Sequence, residues 1–336
     1  MNIAINGFGR IGRAVFKAIL ERPGVRVVAI NDLTDTATLA HLLKYDSCYG
    51  NYSKKVKATK SAIVVDGISY PVLAEKDPTA LPWKQLKVDV VIESTGRFTD
   101  PEAAMAHIKA GAQKVILSAP AKGKGAKTFV IGVNENQIKK SDKVISMASC
   151  TTNCLAPVSD IIRRSFGIEK AVMTTIHSYT ADQNLVDGPH KDLRRARAAA
   201  LSMIPTTTGA AIAATEAIPE LKGKFDGLSV RVPTPVVSLC DCVYVLKKKT
   251  TAEKVNKVLV KASGAPRYRG IVSVTSDPIV SSDMIGNPAS AIVDLPLTSV
   301  VGGNLLKVIS WYDNEWGYSN RLADLCVFFK KKKLIK

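Results

Sequence analysis

The chain opens with an apolar run, Asn2–Asn6, then a glycine-rich turn, an amphipathic stretch over Gly12–Glu21 and a second β-branched run at Val25–Ile30. Short apolar runs bounded by turn residues read as buried strands, and stretches with helical periodicity as helices packed on them. Further strands are expected at Ala62–Val65, Val88–Ile92, Lys114–Ser118, Thr128–Ile131 and Val144–Met147. Asp100-Pro101-Glu102 predicts a helix start, with aspartate as N-cap and proline in the first turn, and the helix runs to about Lys109. The alternation predicts an α/β domain, a parallel sheet with helices on both faces.

From Cys150 the pattern changes. Thr151–Phe166 reads as a helix, and longer strands follow at Ala171–Tyr179, Leu228–Val232, Ser238–Leu246, Ile271–Val274 and Leu305–Trp311. Helices are expected at Ala210–Leu221 and Thr251–Ala262. Long strands with few intervening helices predict an α+β second domain on a mostly antiparallel sheet. The expected division is 1–149 for the first domain and 150–314 for the second. Segment 315–336 regains helical character and is expected to return to the first. Ala181–Pro205, with Gly188, Pro189 and an arginine cluster, reads as a long functional loop.

Composition narrows the class. The chain is 46% hydrophobic over 336 residues, ordinary for a globular enzyme. No apolar run approaches the ~18 residues of a membrane span, and the start has no basic region of a secretory leader, so a cytoplasmic protein is expected. Six cysteines without a CxxC pair, and four scattered histidines, predict neither a disulfide scaffold nor a metal site. The net charge of +18 reads first as a solvated basic surface, with Lys330–Lys333 suited to a helix C-terminus. Such a field also attracts phosphorylated metabolites, and predicts at most weak, secondary binding of nucleic acid.

Gly7-Phe8-Gly9-Arg10-Ile11-Gly12 carries the first chemistry. It follows a strand, opens a helix, and precedes a strand that ends in Asn31-Asp32, about 20 residues after Gly12. In a dinucleotide site Gly7 permits the tight turn, Gly9 lets backbone approach the pyrophosphate, and Gly12 allows close helix–strand packing. Asp32 would accept from the ribose hydroxyls and repel a 2′-phosphate, which favours NAD over NADP.

The second centre is Ser149-Cys150-Thr151-Thr152-Asn153-Cys154, where a strand runs in and a helix runs out. A cysteine at a helix N-terminus is expected to have a lowered pKa and to act as a thiolate nucleophile. Its base is expected to be His177, at the end of a β-branched strand; His41, His107 and His190 have no comparable context.

The segments NGFGRIGR, Ala148-Ser149-Cys150-Thr151-Thr152-Asn153-Cys154, DLRRARAAA at 192–200, PTTTGAA at 205–211 and SWYDNEWGYSNR at 310–321 are similar to those of phosphorylating glyceraldehyde-3-phosphate dehydrogenases, in the same order and over essentially the whole chain. Met147 before Ala148 is a small departure that does not touch the nucleophile. The resemblance implies an N-terminal Rossmann domain and a C-terminal α+β catalytic domain. It implies attack of Cys150 on the aldehyde to give a hemithioacetal, His177 as base, hydride transfer to NAD, and attack of inorganic phosphate on a thioester to give 1,3-bisphosphoglycerate.

By the same resemblance, the phosphate of glyceraldehyde 3-phosphate would meet Thr180, the neighbourhood of Asp182, and Arg231. The attacking phosphate would meet Ser149, Thr151, Thr208, Gly209 and one arginine of 194–197, with Arg195 preferred. The cofactor would meet Arg10, Ile11, Asp32, Lys76, Ser118 and Asn314; Lys76 stands where many members carry arginine. The family assembles as homotetramers in which the loop around Asp187-Gly188-Pro189 reaches a neighbour. The closest alternative activity is that of an erythrose-4-phosphate dehydrogenase. A semialdehyde dehydrogenase is more distant, as is a basic nucleic-acid-binding protein.

Overall fold

The structure, a computed structural model, describes residues 1–335. Of the expected C-terminal segment, Lys336 lies outside the described residues. The chain divides into two units. The first comprises Met1–Phe129, Gln137–Ala148 and Ser319–Lys336; the second comprises Val130–Asn136 and Ser149–Tyr318.

The first unit is built on a nine-stranded sheet in the order 127–128, 144–146, 114–117, 90–93, 2–6, 26–31, 68–73, 62–65, 56–58. The first seven pair in parallel and the last two antiparallel. Strand Asn2–Asn6 lies centrally and is apolar from Ile3 to Ile5 because both its faces are covered. Helices α1 (Arg10–Leu20), α2 (Thr36–Lys44) and α3 (Pro101–Lys109) belong to this unit. Asp100 caps α3 as expected, accepting from the N–H groups of Glu102 and Ala103.

Four elements of this unit differ from the sequence reading. α1 starts two residues early, at Arg10, which puts Arg10 and Ile11 in its first turn. α2, with Asp35 as N-cap, and the strands at 56–58 and 68–73 were not anticipated. The strands 62–65 and 68–73 join through Asp66-Gly67, both with positive φ, a mirror-image two-residue turn.

The second unit carries a sheet in the order 204–207, 225–232, 168–178, 238–246, 305–312, 291–294, 272–275, with 299–301 pairing on 305–312. Two of its ladders are parallel, 168–178 with 225–232 and 272–275 with 291–294; the rest are antiparallel. Helices α4 (Cys150–Phe166), α5 (Ala210–Ala217) and α6 (Ala252–Gly264) share one apolar core with the sheet, through Leu155, Ile162, Ala214, Leu259, Tyr244 and Val308. Strand 238–246 alternates strictly, with Cys240, Cys242, Tyr244 and Leu246 inward.

α5 ends at Ala217 and not at Leu221 because Pro219 pushes Ile218 out of the helical region, and a 3-10 turn completes the run. Residues 204–207, the first two expected in the loop and the last two in no element, form a strand on 225–232. α7 (Trp316–Lys331) ends with Lys330 and Lys331 in its last turn, the favourable place for cations.

Candidate functional site

In the first unit a cleft of about 370 Å³ lies at the end of strand 2–6, lined by Gly7, Gly9, Asn31, Asp32, Lys76 and Thr95. Each glycine of the fingerprint answers to a separate constraint. Gly7 has φ +90 and a Cβ there would meet Thr95 N at 2.7 Å. A Cβ on Gly12 would sit 2.1 Å from the Gly7 carbonyl oxygen. A Cβ on Gly9 would meet no protein atom within 4 Å, so it is the lining of the cleft, not packing, that Gly9 leaves open. Gly9 is also the N-cap of α1 and offers no side chain to its first N–H groups, which suits them to a phosphate.

Asp32 is partly exposed, and its carboxylate accepts from the N–H of Phe8 at 2.7 Å and of Thr34 at 2.9 Å. The Arg10 guanidinium pairs with Asp46 at 2.9 Å and lies over the Tyr49 ring. Ile11 and Ser118 line a smaller cavity of about 150 Å³ with Phe98.

In the second unit Cys150 is the first residue of α4, and Ser149 is its N-cap, accepting from Thr152 N at 3.1 Å. The thiol lies 3.5 Å from His177 Nε2. His177 Nδ1 lies 2.7 Å from the Ser178 carbonyl oxygen, which can only accept. Nδ1 therefore carries the proton and Nε2 faces the sulfur as a bare acceptor. The ring packs edge-on to Tyr312 at 5.9 Å, whose hydroxyl bridges Thr151 and Thr175, each at 2.8 Å.

Electrostatically the thiol departs from the sequence expectation. Burial pushes the Cys150 thiol up, opposed by the Arg231 charge and by hydrogen bonds at Thr151. Burial together with the Arg231 charge pushes His177 down to about 3. The helix N-terminus favours the thiolate while desolvation opposes it, and burial opposes charge on His177 as well.

The anion donors gather in the same unit. Arg231 pairs in register with His177 across the parallel ladder, and its Nη1 donates to Thr180 Oγ1 at 3.2 Å and the Ser178 carbonyl at 3.3 Å. Its Nε is buried with no acceptor among the described residues. Gly209 caps α5, and Thr208 Oγ1 accepts from Ala210 N at 3.2 Å. Of the arginine cluster, Arg195 donates to Thr206 Oγ1 at 3.0 Å, to Thr207 O at 3.2 Å, and to Asp182. Arg197 is paired with Asp187, and Arg194 is turned to the Pro205 carbonyl. Of the three, Arg195 is the one hydrogen-bonded to Thr206 and Thr207.

Two family models match in tandem: the glyceraldehyde 3-phosphate dehydrogenase NAD binding domain over residues 1–101, and the C-terminal domain of the same family over residues 149–314. The chain belongs to the glyceraldehyde-3-phosphate dehydrogenase family. It is 56% identical to the glyceraldehyde-3-phosphate dehydrogenase of Borreliella burgdorferi over the whole of both chains. It is 52% identical to that of Geobacillus stearothermophilus over 99% of each, and 56% identical to that of Thermotoga maritima over 96% and 97%. NAD is accordingly the cofactor of the first unit, and the open cradle at Gly9 fits it.

Within this dehydrogenase frame Asn314 is held by its oxygen. Oδ1 accepts from Ser178 Oγ at 3.0 Å, Val237 N at 3.0 Å and Ser238 Oγ at 3.3 Å, which leaves Nδ2 to donate elsewhere. Val237 makes its bond from φ +70, a conformation costly for a β-branched residue. Sequence reasoning missed Tyr312, Val237 and Ser238. Tyr312 lies in the quoted run two positions before Asn314, but nothing local marks its hydroxyl as a bridge between Thr151 and Thr175.

Proposed function

We propose that the protein is a phosphorylating, NAD-dependent dehydrogenase that converts D-glyceraldehyde 3-phosphate and inorganic phosphate to 1,3-bisphosphoglycerate, as in glycolysis and gluconeogenesis. The observation that carries it is Cys150 Sγ at 3.5 Å from the unprotonated nitrogen of His177, in a unit that also holds Arg231.

Cys150 Sγ adds to the aldehyde carbon while its proton passes to His177 Nε2. Nε2, unprotonated and 3.5 Å from the sulfur, is placed to take that proton. His177 returns the proton to the former aldehyde oxygen, giving a hemithioacetal, and takes it again as the carbon gives up a hydride. NAD, when bound, supplies the acceptor for that hydride. A thioester is left on Cys150. A phosphate oxygen attacks its carbon, the C–S bond breaks, and the sulfur recovers its proton from His177; the phosphate's own proton is released to solvent. The thioester conserves oxidation energy that hydrolysis would dissipate.

Thr180 and Arg231 would hold the substrate's phosphate, and Ser149, Thr151, Thr208, Gly209 and Arg195 the attacking one. Asp32, Lys76, Arg10, Ile11, Ser118 and Asn314 would serve NAD. Leu185, Val186, Leu193, Leu201 and Met203, all exposed along the 181–205 loop, support burial against further copies and a homotetramer. All six cysteines are free, in keeping with a reducing cytoplasm. The net charge of +18 supports no more than weak, salt-sensitive contact with nucleic acid.

NADH formation with glyceraldehyde 3-phosphate or erythrose 4-phosphate, each with and without inorganic phosphate, tests the reading. Phosphate-dependent turnover with a preference for the three-carbon substrate is expected; turnover indifferent to phosphate would overturn it.

A further inference from the structure

The first unit contains a buried polar chain that the chemistry above does not use. Glu93, at the end of strand 90–93, is 3% exposed, and His107 on α3 is wholly buried. Trp83 Nε1, which can only donate, lies 3.0 Å from His107 Nδ1. His107 Nδ1 is thus the acceptor and Nε2 bears the proton, directed at Glu93 Oε2 at 3.1 Å. Asn6 Nδ2 donates to the same oxygen at 2.5 Å. Glu93 Oε1 accepts from the Thr95 N–H at 2.9 Å and from its hydroxyl at 2.5 Å. Four donors saturate the carboxylate, two on each oxygen.

The chain continues toward the opposite rim of the cleft. Asn6 Oδ1 accepts from Asn31 Nδ2 at 2.7 Å. Asn31 in turn holds the Glu75 backbone both ways, donating to its carbonyl and accepting from its N–H, each at 2.9 Å. Thr95 and the Asn31–Glu75 pair line the Asp32 cleft, with Asn6 between them, and Asn31 is the residue next to Asp32. A fully satisfied buried network has one arrangement and resists deformation. A buried carboxylate is a costly way to fill a core unless its partners need fixing, and here all its partners but one belong to the rims of the cleft or to the strand between them.

We propose that Trp83, His107 and Glu93 form a positioning relay for the adenosine half of NAD. His107, locked by Trp83 as a single tautomer, orients Glu93; Glu93 then fixes Thr95 on one side and, through Asn6, Asn31 and Glu75 on the other. Asp32 consequently meets the ribose in a preformed slot, and affinity is gained by avoiding ordering on binding. None of the three is a catalytic residue.

Calorimetric titration of the full chain with NAD and with ADP-ribose tests this, alongside steady-state kinetics. His107→Leu is expected to weaken both ligands by about tenfold, while kcat at saturating NAD and KM for the aldehyde stay within about twofold. His107→Gln, whose amide can donate to Glu93 and accept from Trp83, should restore most of the affinity. A folded His107→Leu chain with unchanged ADP-ribose affinity overturns the proposal, even if its Tm falls. Should His107→Leu not fold, Trp83→Phe decides: it keeps the ring and removes the one donor that sets the tautomer, and unchanged ADP-ribose binding overturns the proposal equally. A wild-type chain that bound neither ligand would instead remove the cofactor assignment.

Discussion

Cys150 Sγ lies 3.5 Å from His177 Nε2, and the other nitrogen of that ring lies 2.7 Å from the carbonyl oxygen of Ser178. The backbone thus decides the tautomer, and the tautomer leaves Nε2 bare toward the sulfur, as the proposed proton transfer requires. Cys150→Ser should lower kcat by at least about a thousandfold with NAD affinity within about twofold, measured by turnover and titration. His177→Asn should slow acylation in a single-turnover experiment and shift iodoacetamide alkylation of Cys150 to higher pH; an unshifted alkylation profile would contradict the pairing.

The depressed His177 pKa has a consequence for stability. The folded value, pushed down to about 3 by burial, lies below the ordinary value near 6.5 of an unfolded histidine. Above about pH 6.5 neither state is protonated and the folded state loses nothing. As pH falls from there toward 3 the unfolded chain binds a proton that the folded chain refuses, so stability declines, by at most about 1.4 kcal/mol per pH unit from this residue. Denaturant unfolding of wild type and His177→Asn at pH 7.5 and pH 5 should show the wild type losing more; equal losses would remove His177 as the cause.

Arg231 presents a buried Nε without a protein acceptor and hydrogen bonds through Nη1 to Thr180. Such a group is suited to an anion. Arg231→Leu should reduce kcat/KM for glyceraldehyde 3-phosphate by roughly a hundredfold and leave the slow oxidation of unphosphorylated glyceraldehyde within about threefold. A loss of the same size on both substrates would assign Arg231 to the thiol's environment and not to the phosphate.

Asp32 is held by the N–H groups of Phe8 and Thr34, so its charge stands at a fixed place in the cleft. Asp32→Gly should weaken NAD by about tenfold and raise the ratio of NADP to NAD efficiency. If NADP use does not rise at all, selectivity resides elsewhere, with the 187–189 loop the first alternative.

Much of the fold was legible because its signals are local. The glycine fingerprint, Asp100-Pro101 at the start of α3, and Ser149 ahead of Cys150 each state a backbone requirement within a few residues. The hairpin at Asp66-Gly67 is equally local: its first strand, Ala62–Val65, is legible in the sequence, whereas Ile68–Leu73, interrupted by Pro71, is not. The strand at Ile204–Thr207 is not legible in the sequence because it exists only through its pairing with Phe225–Val232.

By itself, the sequence marked the glycine turn and the aspartate of a dinucleotide-binding fold and named Cys150, at a helix start, as the candidate nucleophile, since these follow from residue type and spacing along the chain. Tertiary structure decided that His177 and Arg231 stand in register across one ladder, that Arg195 and not its neighbours is anchored to Thr206 and Thr207, and that burial opposes charge on both Cys150 and His177. Register and desolvation depend on what packs against a residue from far along the chain, and no local pattern encodes them.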